Sequence, residues 1–173
     1  EGVLIPLPKL MGWWDTKLTK DEHDLFLRYR PYFSNMEDIV EIIDGGTNPT
    51  GIYKWIKNYA AKNGRIEKIS EFNQIYIPND ENLITIILVD HQSLIRKESG
   101  LSTKKEAIDK LSEYLQYARD FYGFSPVLVA QMNRDIANPA YQKMDTFEPT
   151  PEQIKDSGTS FEDSDICMSL FDP

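Results

Sequence analysis

The sequence predicts an α/β fold with a mainly parallel sheet flanked by helices. Two almost wholly aliphatic runs, Ile84–Val89 and Val127–Ala130, read as strands buried on both faces, as parallel strands are. A strongly periodic helix over 103–122 lies between them, giving the strand–helix–strand order of a parallel crossover. Residues 39–64 show the same strand-then-helix order further upstream. At 173 residues the chain suits one domain. A domain of this size buries roughly 70% of its unfolded surface and needs no staple.

Taken in order, residues 1–18 read as irregular, broken by Pro6, Pro8 and Gly12. Within them Trp13 and Trp14 suit packing in a core or interface better than a stacking platform for a base. A helix begins after Thr19, whose hydroxyl and Glu22 three residues on form a capping box. Leu25, Phe26, Tyr29, Tyr32 and Phe33 recur at helical spacing, Pro31 leaves the end open, and His23 falls on the polar face. Ile39–Asp44 reads as a short strand broken by Gly45 and Gly46. A helix follows from about residue 51, with Ile52, Trp55, Ile56, Tyr59 and Ala60 on one face and Gly64 as its C-cap. Phe72–Ile77 reads as another strand, closed by Pro78, Asn79 and Asp80.

Ile84–Val89 ends in Asp90 and leads into a polar loop. Thr103 and Glu106 make a second capping box. Ala107, Ile108, Leu111, Tyr114, Leu115, Ala118, Phe121 and Tyr122 form a continuous stripe, and Gly123 stops the helix. Val127–Ala130 ends at Gln131. Residues 133–156 read as a long polar loop with Pro139, Pro149 and Pro151, and Ile166–Leu170 as a last short strand.

The composition is that of a globular chain, 40% hydrophobic and 12% aromatic. The net charge of −9 excludes a histone-like binder but not a local basic groove. Residues 145–173 hold eight acids and one base, so −7 of the charge sits there and the rest of the chain is close to neutral. Lone Cys167 cannot form an internal disulfide, which suits a reducing compartment, and Ile166 and Met168 beside it suggest a buried thiol. Two histidines and one cysteine are too few for a typical structural zinc site. No apolar run reaches the about 18 residues that span a bilayer. The first residues carry no basic segment of a signal peptide and no initiator Met, as a fragment or a processed product would.

In open parallel sheets ligands bind beyond the carboxyl ends of the strands. Asp44, Asp90 and Gln131 each end a predicted strand. An aliphatic strand ending in Asp is the pattern of a Walker B element, whose carboxylate holds Mg²⁺ directly or through water. Many parallel strands also end in Asp simply to cap a turn. A carboxamide at Gln131 can donate to a phosphate oxygen and accept from a water; alone it reads as a plain strand-end polar residue. His91 can contact phosphate or the Mg²⁺ shell, against the plainer reading of a hydrogen-bonded strand-end histidine. Ser157 and Gly158, then Asp163 and Asp165 two apart on one face of a predicted strand, make a third element. Arg96, Lys97, Lys104 and Lys105 form a basic cluster that suits a nucleic-acid backbone or a solvated helix start.

A phosphate loop is missing. Gly46-Thr47-Asn48-Pro49-Thr50-Gly51 has the glycine spacing of GxxxxGK[ST], but Ile52 and Tyr53 stand where Lys and a hydroxyl are needed. It reads as a strand-to-helix turn.

Together these elements resemble the ATPase domain of DnaB-like replicative helicases, which have a RecA-like core. ITIILVDHQSLI (84–95) is similar to that family's Walker B strand, VLVAQMNR (127–134) to the strand ending in its Gln-x-Asn-Arg motif, and DSGTSFEDSDICMSL (156–170) to its Ser-Gly…Asp-x-Asp motif. The match covers roughly 39–173, with 1–38 as a helical lead-in. His91 stands where many members have Tyr, a phage-type trait.

The resemblance implies one RecA-like domain over 1–173, incomplete at its N-terminal end, with the P-loop and catalytic glutamate upstream of residue 1. It implies Mg²⁺ and ATP as cofactors, with Asp90 binding Mg²⁺–ATP and His91 beside the nucleotide. Gln131 would sense the γ-phosphate. Asn133 and Arg134 would couple it to single-stranded DNA, and Ser157, Gly158, Asp163 and Asp165 would shape the site edge and the subunit interface. Its partners would be single-stranded DNA and further copies in a ring, a hexamer by family habit. No membrane is involved, and the setting is the cytoplasm of a bacterial or phage-infected cell. The competing readings are a degenerate RecA-like domain acting as a non-catalytic binding or assembly module, and a recombinase or circadian-type relative.

Overall fold

The computed structural model describes residues 5–44, 48–132 and 159–169. The chain divides into two compact units, Glu1–Gly45 and Gly46–Pro173. The predicted loop over 133–156 and the positions Asn133, Arg134, Ser157 and Gly158 lie outside the described residues.

The first unit is helical. The N-terminal stretch, expected to be irregular, contains a single turn of helix, α1 (Leu7–Leu10), and a 3-10 turn at Trp13–Asp15. Trp14 sits in the left-handed region (φ 55°) and is 81% exposed, so it is no core residue. Helix α2 (Lys20–Glu37) starts with the predicted capping box: the Glu22 amide donates to Thr19 Oγ1 at 3.3 Å, and the Thr19 amide to Glu22 Oε2 at 2.7 Å. Lys9 clamps the same carboxylate at 2.6 Å. These contacts, the Lys9 hydrogen bond foremost, lower the Glu22 pKa to about 2. The helix runs on through Pro31, buries none of its residues, and leaves Phe26, Tyr29, Tyr32 and Phe33 exposed. His23 is exposed, as its polar-face position predicts.

The expected strand over Ile39–Asp44 does not form. Ile39 and Val40 turn back onto the Met36 carbonyl, and the segment is exposed with no ladder partner among the described residues. A β-branched run becomes a strand only where a neighbour supplies the pairing.

The second unit is mixed α/β. Helix α3 (Pro49–Asn63) starts two residues before the predicted position, because the Asn48 side chain accepts from the Gly51 amide at 2.7 Å and Pro49 suits a first helical position. Gly64 is not a left-handed cap. It opens strand β1 (Gly64–Lys68), which pairs antiparallel with β2 (Gln74–Pro78), Gly64 opposite Pro78 and Lys68 opposite Gln74. Strand β3 (Ile86–Val89) and strand β4 (Ser125–Leu128) pair in parallel, Ile86 beside Ser125 and Val89 beside Leu128. Helix α4 (Lys104–Tyr122) makes the crossover, with the predicted Thr103–Glu106 capping box at one end and Gly123 in the left-handed region (φ 72°) at the other. Among the described residues the sheets are one antiparallel and one parallel pair, a mixed α/β arrangement. A last turn of helix, α5 (Thr159–Glu162), follows. Ile166–Ser169, read as the start of a strand, is irregular and exposed, and Cys167 within it is exposed rather than buried.

The core lies between α3 and α4. Ile56 and Ala60 meet Ala107, Leu111, Leu115, Ala118 and Tyr122, with Ile95 and Phe124 closing the cluster. Ile87, Val89 and Leu128 pack against it from one face of the parallel pair. The other face is left open by the described residues of the second unit: Ile86 and Leu88 are 66% and 65% exposed. Expected burial on both faces is therefore half met.

Gly64 joins the hairpin to α3. A Cβ there would stand 2.4 Å from the Tyr76 hydroxyl and 2.6 Å from the Ile77 carbonyl oxygen, while Tyr76 itself donates to the Ala60 carbonyl at 3.0 Å. Gly64→Ala is expected to destabilise the second unit by about 1–3 kcal/mol through overpacking, read as a lower urea midpoint at unchanged slope.

Candidate functional site

The parallel pairing brings the carboxyl ends of β3 and β4 side by side. Asp90 follows β3 directly. Gln131 lies three residues beyond Leu128, after Val129 and Ala130 extend the line of β4. The ladder continues past both strands: the Val129 amide donates to the Val89 carbonyl at 3.0 Å, and the Gln92 amide to the Val129 carbonyl at 2.9 Å. The turn after Asp90 is thereby fastened to the segment carrying Gln131. Asp90 and Gln131 are exposed and His91 is half-buried. The Asp90–His91 peptide is cis. The carboxamide nitrogen of Gln131 lies 3.4 Å from His91 Nε2.

The third sequence element docks beside these two. Ser160, on α5, donates to Gln92 Oε1 at 3.2 Å, and Gln92 is fully buried. Asp163 accepts from the Ser112 hydroxyl at 2.5 Å. Arg119 donates to the Asp163 carbonyl at 3.2 Å and to Asp165 Oδ2 at 3.0 Å. Asp163 and Asp165 are therefore not two neighbours on one strand face. They fasten residues 159–165 to α4 through a hydroxyl and a guanidinium. Arg119, held by Asp120 first and Asp165 further on, has its pKa raised and stays charged.

Asp90 offers a single exposed carboxylate at this edge. Among the described residues no three His, Cys, Asp or Glu side chains gather into a metal site. A Mg²⁺ carried on phosphates keeps most of its waters and takes only one or two protein carboxylates, which Asp90 can supply. Asp44 lies in the irregular end of the first unit and ends no strand among the described residues.

The start of α3 is already occupied. The Thr50 amide and hydroxyl donate to the two Glu98 carboxylate oxygens at 3.1 and 3.0 Å, and Lys110 grips the same carboxylate. Ile52 and Tyr53, at the P-loop's Lys and hydroxyl positions, are half-buried, Tyr53 stacked on Tyr114 at 4.3 Å between ring centres. The helix end that mimics a phosphate loop thus holds an internal carboxylate, which agrees with the sequence reading that it is no P-loop. Lys110 foremost, then Thr50, depress the Glu98 pKa below its ordinary 4.5. A depressed carboxylate contributes stability above its unfolded pKa and loses it as pH falls through the folded value. Glu98→Gln is expected to melt a few degrees below wild type at pH 7, with the gap closing below pH 4.5, in thermal melts across a pH series.

The basic cluster is partly engaged. Lys97 donates to the Ser102 carbonyl at 3.3 Å and Lys104 to the Ser93 carbonyl, while Arg96 and Lys105 are exposed. Sequence reasoning missed Gln92, Ser112, Glu98, Lys110 and Arg119. Only a serine interrupting the apolar stripe of α4 hinted at one of them. No helix among the described residues is long and apolar enough to cross a membrane. No protein-family model matches the chain, and no curated protein matches it.

Proposed function

We propose that this chain belongs to the RecA-like ATPase motor of a DnaB-like replicative DNA helicase, which couples Mg²⁺–ATP hydrolysis to movement on single-stranded DNA. The observation that carries the reading is the junction of three sequence elements at one edge: Asp90 and Gln131 at adjacent parallel strand ends, with residues 159–165 fastened beside them through Gln92. In this reading Asp90 holds the Mg²⁺ of the incoming nucleotide, His91 lies beside the nucleotide and Gln131 meets its γ-phosphate. Asn133 and Arg134 carry the signal to the DNA backbone, which such motors grip without reading sequence. Ser157, Gly158, Asp163 and Asp165 border the site and the contact with the next copy in the ring. The setting is the cytoplasm of a bacterial or phage-infected cell.

A second reading is a degenerate RecA-like domain acting as a binding or assembly module. It is favoured by the absence of GxxxxGK[ST] from these 173 residues and by the Glu98 carboxylate filling the start of α3. Strand displacement on forked DNA by the whole protein separates the two. The motor requires unwinding that depends on ATP and Mg²⁺, and assembly into a ring by sedimentation. A protein that assembles but neither unwinds nor hydrolyses ATP is the binding module.

A further inference from the structure

We infer that His91 is a positioning residue for Gln131, holding its carboxamide in one orientation at the site edge. This rests on the reading of that edge as a nucleotide site. An amide nitrogen can only donate, so a hydrogen bond between Gln131 Nε2 and His91 Nε2, 3.4 Å apart, requires the tautomer in which Nε2 accepts and the ring hydrogen sits on Nδ1. Nδ1 is buried and has no hydrogen-bond partner among the described residues, while Nε2 is the ring nitrogen that meets Gln131. The two side chains ride on segments that are themselves joined. The His91 carbonyl accepts from the Leu94 amide at 2.9 Å, and the next residue, Gln92, donates to the carbonyl of Val129, two residues before Gln131.

Gln131 is exposed, and a free glutamine side chain samples many rotamers that a reacting complex must freeze. With one amide hydrogen engaged by His91, the second hydrogen remains to donate to a phosphate oxygen and Oε1 to accept from a water. His91 thus settles which end of the carboxamide is left free before nucleotide arrives, and it does so without touching the substrate.

The experiment has two arms. In the first, nitrogen-15 spectra of this chain follow the Gln131 side-chain amide and the His91 ring. The expected result is an acceptor Nε2 with hydrogen on Nδ1, and a moved Gln131 amide pair in His91→Phe. An unmoved pair overturns the inference. In the second, MgATP turnover and nucleotide affinity are measured on the whole protein. One lost hydrogen bond predicts about a three- to tenfold lower kcat in His91→Phe, with little change in nucleotide affinity. His91→Gln, whose amide end reaches the place of Nε2, is expected to restore turnover, whereas His91→Asn, which reaches only the place of Nδ1, is not. His91→Phe in a Gln131→Ala background is expected to cost nothing more. Equal rescue by Asn and Gln, or losses that multiply, overturn the positioning role. If Asp90→Asn leaves turnover unchanged, it is the nucleotide-site reading that fails, and the spectra then decide the His91–Gln131 contact alone.

Discussion

Leu111→Ala is expected to cost the second unit about 3 kcal/mol, the largest stability effect of any single truncation considered. Leu111 is 0% exposed and sits at the middle of the α4 stripe, between Ala107 and Leu115, facing Ile56 and Ala60 of α3. Removing three carbons there forfeits their transfer energy and leaves a cavity between two packed helices that relaxation closes only in part. In a domain of this size such a loss lowers the melting temperature by roughly 10 °C. Phe72→Ala is the control. Phe72 is 95% exposed, so its loss is expected to change stability by less than about 0.5 kcal/mol. Equal melting of the two variants would mean that the α3–α4 packing is not the core.

Asp90→Asn carries the largest expected effect on activity. The substitution keeps the size of the side chain and removes its charge, so under the proposed function the Mg²⁺ of a bound nucleotide would lose its protein carboxylate. That loss is expected to lower kcat for ATP hydrolysis by the whole protein about 100-fold, since metal stabilisation of the transition state is worth several kcal/mol. Folding is not expected to suffer. Asp90 is exposed and makes no ion pair with a described residue, so an unchanged melting curve beside lost turnover separates chemistry from structure.

The parts of the fold that were legible in the sequence are those set by local chemistry. Both capping boxes formed where Thr19–Glu22 and Thr103–Glu106 stood, because the two reciprocal hydrogen bonds involve residues only three apart. The α4 stripe was readable because six of its residues, Ala107, Ile108, Leu111, Leu115, Ala118 and Tyr122, are buried at helical spacing. The parallel pairing of β3 with β4 followed from the crossover helix between two aliphatic runs, and with it the shared edge of Asp90 and Gln131. What failed was what depends on distant partners. Ile39–Asp44 has strand-like residues and no strand to pair with, while Gly64–Lys68, with one aliphatic side chain among charged ones, becomes a strand because β2 lies beside it. Gly64 does stand at the C-cap of α3, but its backbone is extended rather than left-handed, which its identity alone does not reveal.

The site divides in the same way. Asp90, His91 and Gln131 are legible as residues that follow strand ends, and the parallel pair brings those ends side by side. The latch of Ser112 and Arg119 on Asp163 and Asp165 spans 51 and 46 residues of sequence, and no spacing rule reaches across such distances. Glu98 is similar: its bond to Thr50 crosses 48 residues and turns a glycine-spaced phosphate-loop lookalike into a helix start with its own internal anion. The −9 charge is likewise uninformative about DNA, because −7 of it lies in residues 145–173 and is partly offset where Arg119 pairs with Asp165.

The central claim is that the ends of β3 and β4 form a nucleotide edge. Amide hydrogen exchange of the whole protein, with and without MgATP, tests it most directly. The account predicts slowed exchange concentrated at residues 90–92 and 129–131, with no comparable change at the Glu98-filled start of α3. Protection at residues 48–53 with none at 90–92 or 129–131 would contradict it.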